Sequence, residues 1–234
     1  MSIRLIAYGE ILRRLISKCC VSSVAMQAMK HLCPIQVGVG VSNGPETIIH
    51  SFNRLIRDPQ LCNDDTVIAL LDFENAFNNI HRQNFLDEIL RLFPSLYGWV
   101  QYTYGTGAKL FSGSDMIVAS NGGQQGDPIA PLLFCLAAHP IFKTIRDQFN
   151  LISAADLDDF TIAGPSRNVA DAIKWLESSG PPCGLFIDKK KTVIWSLSGQ
   201  DLKPKFTYLE FTREAIESQA NLLGTIIHSR VKMV

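Results

Sequence analysis

An α+β fold, with an antiparallel sheet backed by helices, is predicted by three observations. Short apolar runs without helical spacing, such as Thr66 to Leu71 (TVIALL), read as strands that lead into aspartates. Between them lie longer stretches whose apolar residues recur at helical spacing. Two pairs of short runs, within 108–120 and 151–163, are each joined by a tight polar turn, the arrangement of antiparallel neighbours.

The elements follow in order. Ile3 to Ala7 reads as a strand entering a helix over Glu10 to Leu32, with Ile11, Leu12, Leu15, Ile16, Cys19, Val24 and Met26 at roughly helical spacing. The segment QVGVGVSNGP is glycine-rich and ends on Pro45 as a first-turn residue. Ile48, Ile49, Phe52, Leu55 and Ile56 then mark an amphipathic helix. Glycines of this kind more often serve tight turns and close backbone packing than phosphate binding. TVIALL is β-branched and apolar without alternation, as in a strand covered on both faces, and it delivers Asp72.

Phe85, Leu86, Ile89, Leu90 and Leu92 form one stripe of a helix from His81 to Phe93, ended by Pro94. Two strands flanking Ser112-Gly113-Ser114 make a hairpin. A long apolar helix runs from Pro128 to about Gln148, with Pro140 expected to bend it. Leu151–Ala155 and Phe160–Ala163 are strands joined by the acidic turn Asp156 to Asp159. Ser166 is placed to cap a helix carrying Val169, Ile173 and Leu176. Strands around Leu185–Ile187 and Thr192–Leu197 complete the order.

Composition narrows the class. With 234 residues, 47% hydrophobic and 19% charged, the chain can bury a substantial core and lacks the composition of disorder. Arg13, Arg14 and Lys18 interrupt the first helical stretch, no apolar run approaches a bilayer span, and no signal-peptide pattern is present. The expectation is a soluble intracellular protein without membrane partners. Cys19, Cys20, Cys33, Cys62, Cys135 and Cys183 are scattered and show no zinc spacing, so they read as reduced core residues. The balance of 22 basic and 22 acidic residues argues against strong independent binding to a nucleic-acid backbone. It leaves room for local basic surfaces, such as Arg4, Arg13, Arg14 and Lys18, or Lys189-Lys190-Lys191.

Asp72 and the Asp158-Asp159 pair stand at or just past strand ends, where adjacent strands can gather them. Hard divalent cations prefer such oxygen ligands, and two of them can stabilise both the attacking and the leaving oxygen of a phosphoryl displacement. Taken alone, Asp72 also fits a turn or cap, and an adjacent aspartate pair also fits a solvated turn.

The ordered set of segments resembles the palm of reverse transcriptases, especially those of non-LTR (LINE-like) retroelements. IRLIAYGEILRRLISK is similar to the family's finger segment and QVGVGVSNGPETIIH to the segment after it. LDFENAFNNIH resembles the first catalytic motif, and GGQQGDPIAPLLF the second. DLDDFTIAG resembles the aspartate-pair motif, GLFIDKKK the lysine motif and LLG the last palm motif. The resemblance implies a polymerase palm with partial fingers, one reverse transcriptase domain over 1–234 with fingers in 1–65 and palm in 66–234. It implies RNA-directed DNA synthesis from deoxynucleoside triphosphates, with an RNA template, a DNA primer and two Mg²⁺ ions, Mn²⁺ being the alternative. Asp72 and Asp158 would hold the ions with Asp159 in support. Phe73, Phe77, Gln125, Gly126, Arg4 and Lys191 would meet the substrates. Phe77, five residues beyond Asp72, takes the position where the family excludes a 2′-hydroxyl. A retroelement setting also implies the nucleus as a location.

The sequence departs from the family in three places. Asp156 stands where an aromatic residue usually precedes the aspartate pair, Leu5 replaces the proline after the finger arginine, and the chain ends at Val234, just past the last palm motif. The expectation is therefore a palm without its thumb, an incomplete or decayed copy. Two rival readings stay open: a non-catalytic remnant that binds nucleic acid or protein, and an RNA-dependent RNA polymerase, against which Phe77 and the Gln-Gly turn argue.

Overall fold

The computed structural model describes residues 10–58, 60–112, 115–198, 202, 206, 214–215, 219–222 and 225–228. Arg4, the Ile3–Ala7 strand and the Gly113-Ser114 tip of the hairpin lie outside these residues, as do Leu223 and Gly224 of LLG.

The chain begins with two helices, α1 (Ile11–Leu32) and α2 (Gly44–Arg57), and enters the sheet through β1 (Thr66–Leu71). A short α3 (Ala76–Asn79) leads to α4 (Arg82–Leu92) and α5 (Pro94–Tyr104), and the hairpin β2 (Ala108–Ser112) and β3 (Asp115–Ala119) follows. The long α6 (Ala130–Gln148) precedes β4 (Ile152–Asp156), β5 (Asp159–Pro165), α7 (Ser166–Ser179) and β6 (Val193–Ser196). Last come the two-residue β7 (Glu214–Ala215) and the hairpin β8 (Gln219–Leu222) and β9 (Thr225–His228).

The main sheet has the order β4-β5-β1-β6-β7. Its first four strands are antiparallel neighbours, and β7 joins in parallel. Side chains alternate across a strand, and β1 uses both faces. Val67, Ala69 and Leu71 join the larger core with α1, α4, α5, α6 and α7. Ile68 packs on the opposite face with Phe52, Leu55 and Ile56 of α2, Ala163 of β5 and Trp195 of β6. This double cover explains why TVIALL is apolar throughout.

Several local expectations are corrected. The face of α1 carrying Ile11, Leu12, Leu15 and Met26 is exposed, whereas Ser17, Val24, Ala28 and Leu32 are buried. Pro94 does not simply end a helical region; it occupies the first turn of α5, where its missing N–H costs nothing. Ser166 is no cap, since the helix is preceded by Pro165 and the Ser166 hydroxyl instead donates to Asp65 at 2.6 Å. Ile187 forms an isolated bridge to Phe73, not part of a strand. The helix α6 starts at Ala130 and continues through Pro140. No helix among the described residues is long and apolar enough to cross a membrane.

The glycines of QVGVGVSNGP serve packing. A Cβ on Gly38 would come within 2.7 Å of the Leu157 amide nitrogen and 2.8 Å of an Asp156 carboxylate oxygen, so only glycine lets this segment lie flush against the acidic turn.

Candidate active site

Strand register brings the carboxylates together. Leu71, the last residue of β1, lies opposite Phe160 of β5, so Asp72 and Asp159 emerge at the same edge of adjacent strands. Asp156 pairs with Asp159 across the β4–β5 hairpin, leaving Leu157 and Asp158 as its two-residue tip. The rings that follow the aspartates anchor them from below. Phe73 stacks on Phe142 at 6.0 Å between ring centres, and Phe142 stacks on Phe160 at 3.9 Å.

The cleft over this edge has a volume of about 540 Å³. It is lined by Asp72, Asp158 and Asp159 on the sheet side, by Phe77 of α3, by the Gln124–Pro128 turn, and by Lys191. Of the residues singled out from sequence, Asp72, Asp158, Asp159, Phe73, Phe77, Gln125, Gly126 and Lys191 all reach it, and Arg4 is outside the described residues. Phe73 lines the cleft only marginally, because its ring is 4% exposed and belongs to the core. Phe77 is half-buried and stacks on Phe134 with centres 4.6 Å apart. Asp156 is not a lining residue; its carboxylate lies against Gly38. Burial raises its pKa, and the nearby charges of Asp158 and Glu46 add to that.

Lys191 bridges two carboxylates, with Nζ 3.4 Å from Asp72 and 3.1 Å from Asp188. Its pKa is raised, first by the hydrogen bond to Asp188 and then by the charge of Asp72. Burial works against ionisation of Asp188, but hydrogen bonds from the Lys191 side chain and the Lys190 amide outweigh it and hold the carboxyl below its usual value. The Asp188 amide donates to the Asp72 carbonyl at 2.9 Å, and the Asp72 amide donates to the Thr192 hydroxyl at 3.3 Å. The lysine segment is thus stitched to the backbone of the first aspartate. Two further members of the expected basic surfaces are paired: Lys189 meets Glu177 at 2.9 Å, and Arg13 meets Asp127 at 3.1 Å.

The Gln-Gly turn rests on a buried polar frame that the sequence reading missed. Asp127 is 6% exposed and accepts hydrogen bonds from Arg13, from the Tyr104 hydroxyl at 2.9 Å and from the Ile129 amide at 3.2 Å. The Gln124 amide donates to the Tyr104 oxygen at 3.3 Å. Burial, then the Asp127 charge, pushes the Tyr104 phenol far up, so it stays a donor. Arg82, also 6% exposed, donates to the carbonyls of Gly122, Asn121, Tyr104 and Thr106 at 3.0 to 3.4 Å. Gly122 has a φ of 70°, and a Cβ there would collide with the Phe77 carbonyl and the backbone of Asn78. Its amide donates to the Ile80 carbonyl, and the Gly123 amide to that of Phe77, which ties the turn to the helix carrying Phe77. In the sequence this frame shows only as Asp127 within GGQQGDPIAPLLF and Arg13 among the basic residues of the first helical stretch.

The donor set suits a hard divalent cation. Among the described residues no three His, Cys, Asp or Glu side chains are gathered into a complete cage. Mg²⁺ is usually bound by one or two carboxylates together with substrate phosphates. In the structure the ammonium of Lys191 lies within ion-pair distance of the Asp72 carboxylate.

The site is an acidic strand edge facing a glycine-containing turn across an α+β fold. The chain belongs to the family described as reverse transcriptase (RNA-dependent DNA polymerase), whose profile matches residues 2–227. It is 31% identical over 114 residues to the Retrovirus-related Pol polyprotein from type-2 retrotransposable element R2DM of Drosophila melanogaster, a match covering 43% of this chain and 11% of that polyprotein. Among solved structures, the fold is similar to apo telomerase from Candida Tropicalis, with a TM-score of 0.63, 11% identity, and coverage of 95% of this chain and 40% of that one. Telomerase from Candida albicans in complex with a TWJ fragment of telomeric RNA matches with a TM-score of 0.59 and 12% identity, over 92% of this chain and 37% of that one. The chain spans less than half the length of each of these relatives.

Proposed function

We propose that this chain carries the catalytic palm of an RNA-directed DNA polymerase of non-LTR retroelement type, with 1–65 contributing fingers and 66–234 the palm. The observation that carries the reading is the convergence of Asp72, Asp158 and Asp159 from adjacent antiparallel strands on one cleft facing Gln125 and Gly126. Asp72 and Asp158, with Asp159 beside them, would hold two Mg²⁺ ions, or Mn²⁺ in their place; bound there, the ions supply activation of a primer 3′-hydroxyl and neutralisation of departing pyrophosphate. The chain's own residues do the rest. The Gly126 backbone, with a φ of 99° and no Cβ, permits close approach of the templating pair, and the Gln125 amide offers hydrogen bonds near the incoming nucleotide. Phe77, braced by Phe134, would by resemblance exclude a 2′-hydroxyl. Lys191 can exchange its contact with Asp72 for the triphosphate, as a compact cation suited to phosphate charge or proton transfer. Arg4 is assigned to the triphosphate by resemblance alone. The partners are then an RNA template, a DNA primer and deoxynucleoside triphosphates, in an intracellular and by resemblance nuclear setting.

The test is extension of a DNA primer on an RNA template with Mg²⁺, comparing deoxynucleotides and ribonucleotides and running Asp158→Ala alongside. The expected result is deoxynucleotide-selective extension that falls by about 10²- to 10³-fold or more in the variant, since loss of a metal-holding carboxylate removes several kcal/mol of transition-state stabilisation. Extension that survives Asp158→Ala would refute the assignment. Ribonucleotide preference would favour an RNA-dependent RNA polymerase. A well-folded parent that never extends would favour a nucleic-acid- or protein-binding remnant, for which Asp156 at the family's aromatic position is the specific argument.

A further inference from the structure

The acidic turn is held from outside its own hairpin. Leu157, at its tip, has a φ of 58°, in the left-handed region that a branched L side chain rarely adopts. The hairpin closes over two residues, and neither is the asparagine or glycine that usually accepts such a φ. Something must compensate for that choice.

Gln36 makes the compensating contacts. It is fully buried, and its side-chain amide engages both polar groups of the Leu157 backbone. Its Nε2 donates to the Leu157 carbonyl at 2.8 Å, and its Oε1 accepts from the Leu157 amide at 2.8 Å and from the Gly38 amide at 3.0 Å. The backbone on either side joins the edge of β4: the Val37 amide donates to the Ala155 carbonyl at 2.9 Å, and the Ala155 amide to the Ile35 carbonyl at 2.6 Å. Gly38 completes the fit by having no Cβ to strike Leu157 or Asp156. A primary amide is suited to this task because it offers a donor and an acceptor in one plane, matched to a peptide's N–H and C=O. A carboxylate could only accept, and would add charge beside Asp156.

We infer that Gln36 is a positioning residue for the reaction, acting through Leu157 to hold the turn that aims Asp158 into the cleft. It touches no substrate, and its catalytic effect rests on the polymerase reading above. Without it, Leu157 can relax from the left-handed region, and the neighbouring carboxylate loses its fixed direction. Because the clamp acts on a group proposed to work at the chemical step, its loss should lower kcat with little change in the KM for deoxynucleotide.

The experiment compares the parent chain with Gln36→Met, which fills the volume without polar atoms, and with Gln36→Glu, which keeps the acceptor and loses the donor. Amide hydrogen exchange at Leu157 and Gly38 is read first. Both amides should exchange about tenfold faster or more in Gln36→Met, while β1 amides keep the parent rates. In Gln36→Glu they should stay closer to the parent. Primer extension is read second, with kcat expected to fall by about tenfold or more in Gln36→Met and by less in Gln36→Glu, and KM to stay within about twofold in both. Introducing Leu157→Gly removes the need for a left-handed leucine, so Gln36→Met should cost less kcat in that background than alone. Unchanged exchange at Leu157 would overturn the clamp. Unchanged kcat in an active parent's variants would overturn its catalytic role. A parent that does not extend primers would refute the polymerase reading and with it the catalytic role, and the exchange rates would still decide the clamp.

Discussion

Phe77 draws its meaning from two neighbours. Phe134 fixes its ring, and the Gly123 amide bonded to its carbonyl fixes its backbone, so the ring cannot easily swing away from a bulky sugar. Replacing it with valine should therefore relax sugar choice, raising ribonucleotide use relative to deoxynucleotide by about tenfold or more, as read from the ratio of kcat/KM values. An unchanged ratio would remove Phe77 from sugar discrimination. His139 makes a different kind of residue-level prediction. Its Nδ1 is buried without a hydrogen-bond partner, and its ring centre lies 4.9 Å from that of His31. Burial first, then the charges of His31, Lys143, Arg146 and Arg91, bring its pKa down to about 4. The unfolded histidine titrates near 6.5, so between about 6.5 and 4 the unfolded chain binds the extra proton. The contribution to stability is complete above that window and is lost as the pH falls through it. Thermal melts of His139→Leu should show the variant gaining on its parent at pH 5 compared with pH 7.5. An equal difference at both pH values would contradict this.

At the scale of elements, the Gln-Gly turn is braced by Arg82 of α4 and Tyr104 of α5. Arg82→Met would leave four backbone carbonyls without their donor and should lower stability by about 3 kcal/mol, measured by denaturant unfolding. A loss below about 0.5 kcal/mol would mean that the turn holds itself. The contrast between legible and illegible parts follows from the range of the forces. β1, α2 and the β2–β3 and β4–β5 hairpins could be read because apolar pattern and turn chemistry are local. Asp72 and the Asp158-Asp159 pair could be located because each stands where an apolar run stops. Helix α5 was missed because proline both ends and begins helices, and Pro94 does the latter. The buried face of α1 was misjudged because Ile11, Leu12, Leu15 and Met26 point outward while the small Ser17 and Ala28 pack inward beside Val24 and Leu32. Gln36, Arg82 and Asp127 gave little local signal. Gln36 meets Leu157 across a separation of 121 residues, and Arg82 meets carbonyls that any residue supplies.

Across the described residues, a sheet covered on both faces presents its acidic edge to the cleft. The even balance of 22 basic and 22 acidic residues is consistent with a palm whose cations are partly committed internally, as Arg13, Lys189 and Lys191 are. Such a molecule would bring metal and nucleotide together at the cleft instead of relying on a strongly basic surface. The most direct test of that account is Mn²⁺ binding followed by electron paramagnetic resonance, with and without a deoxynucleoside triphosphate, in the parent and in Asp72→Asn. The account predicts that triphosphate and parent together hold Mn²⁺ more tightly than triphosphate alone, and that Asp72→Asn returns binding to the level of the triphosphate. Mn²⁺ binding that is indifferent to the triphosphate, or unchanged by Asp72→Asn, would contradict it.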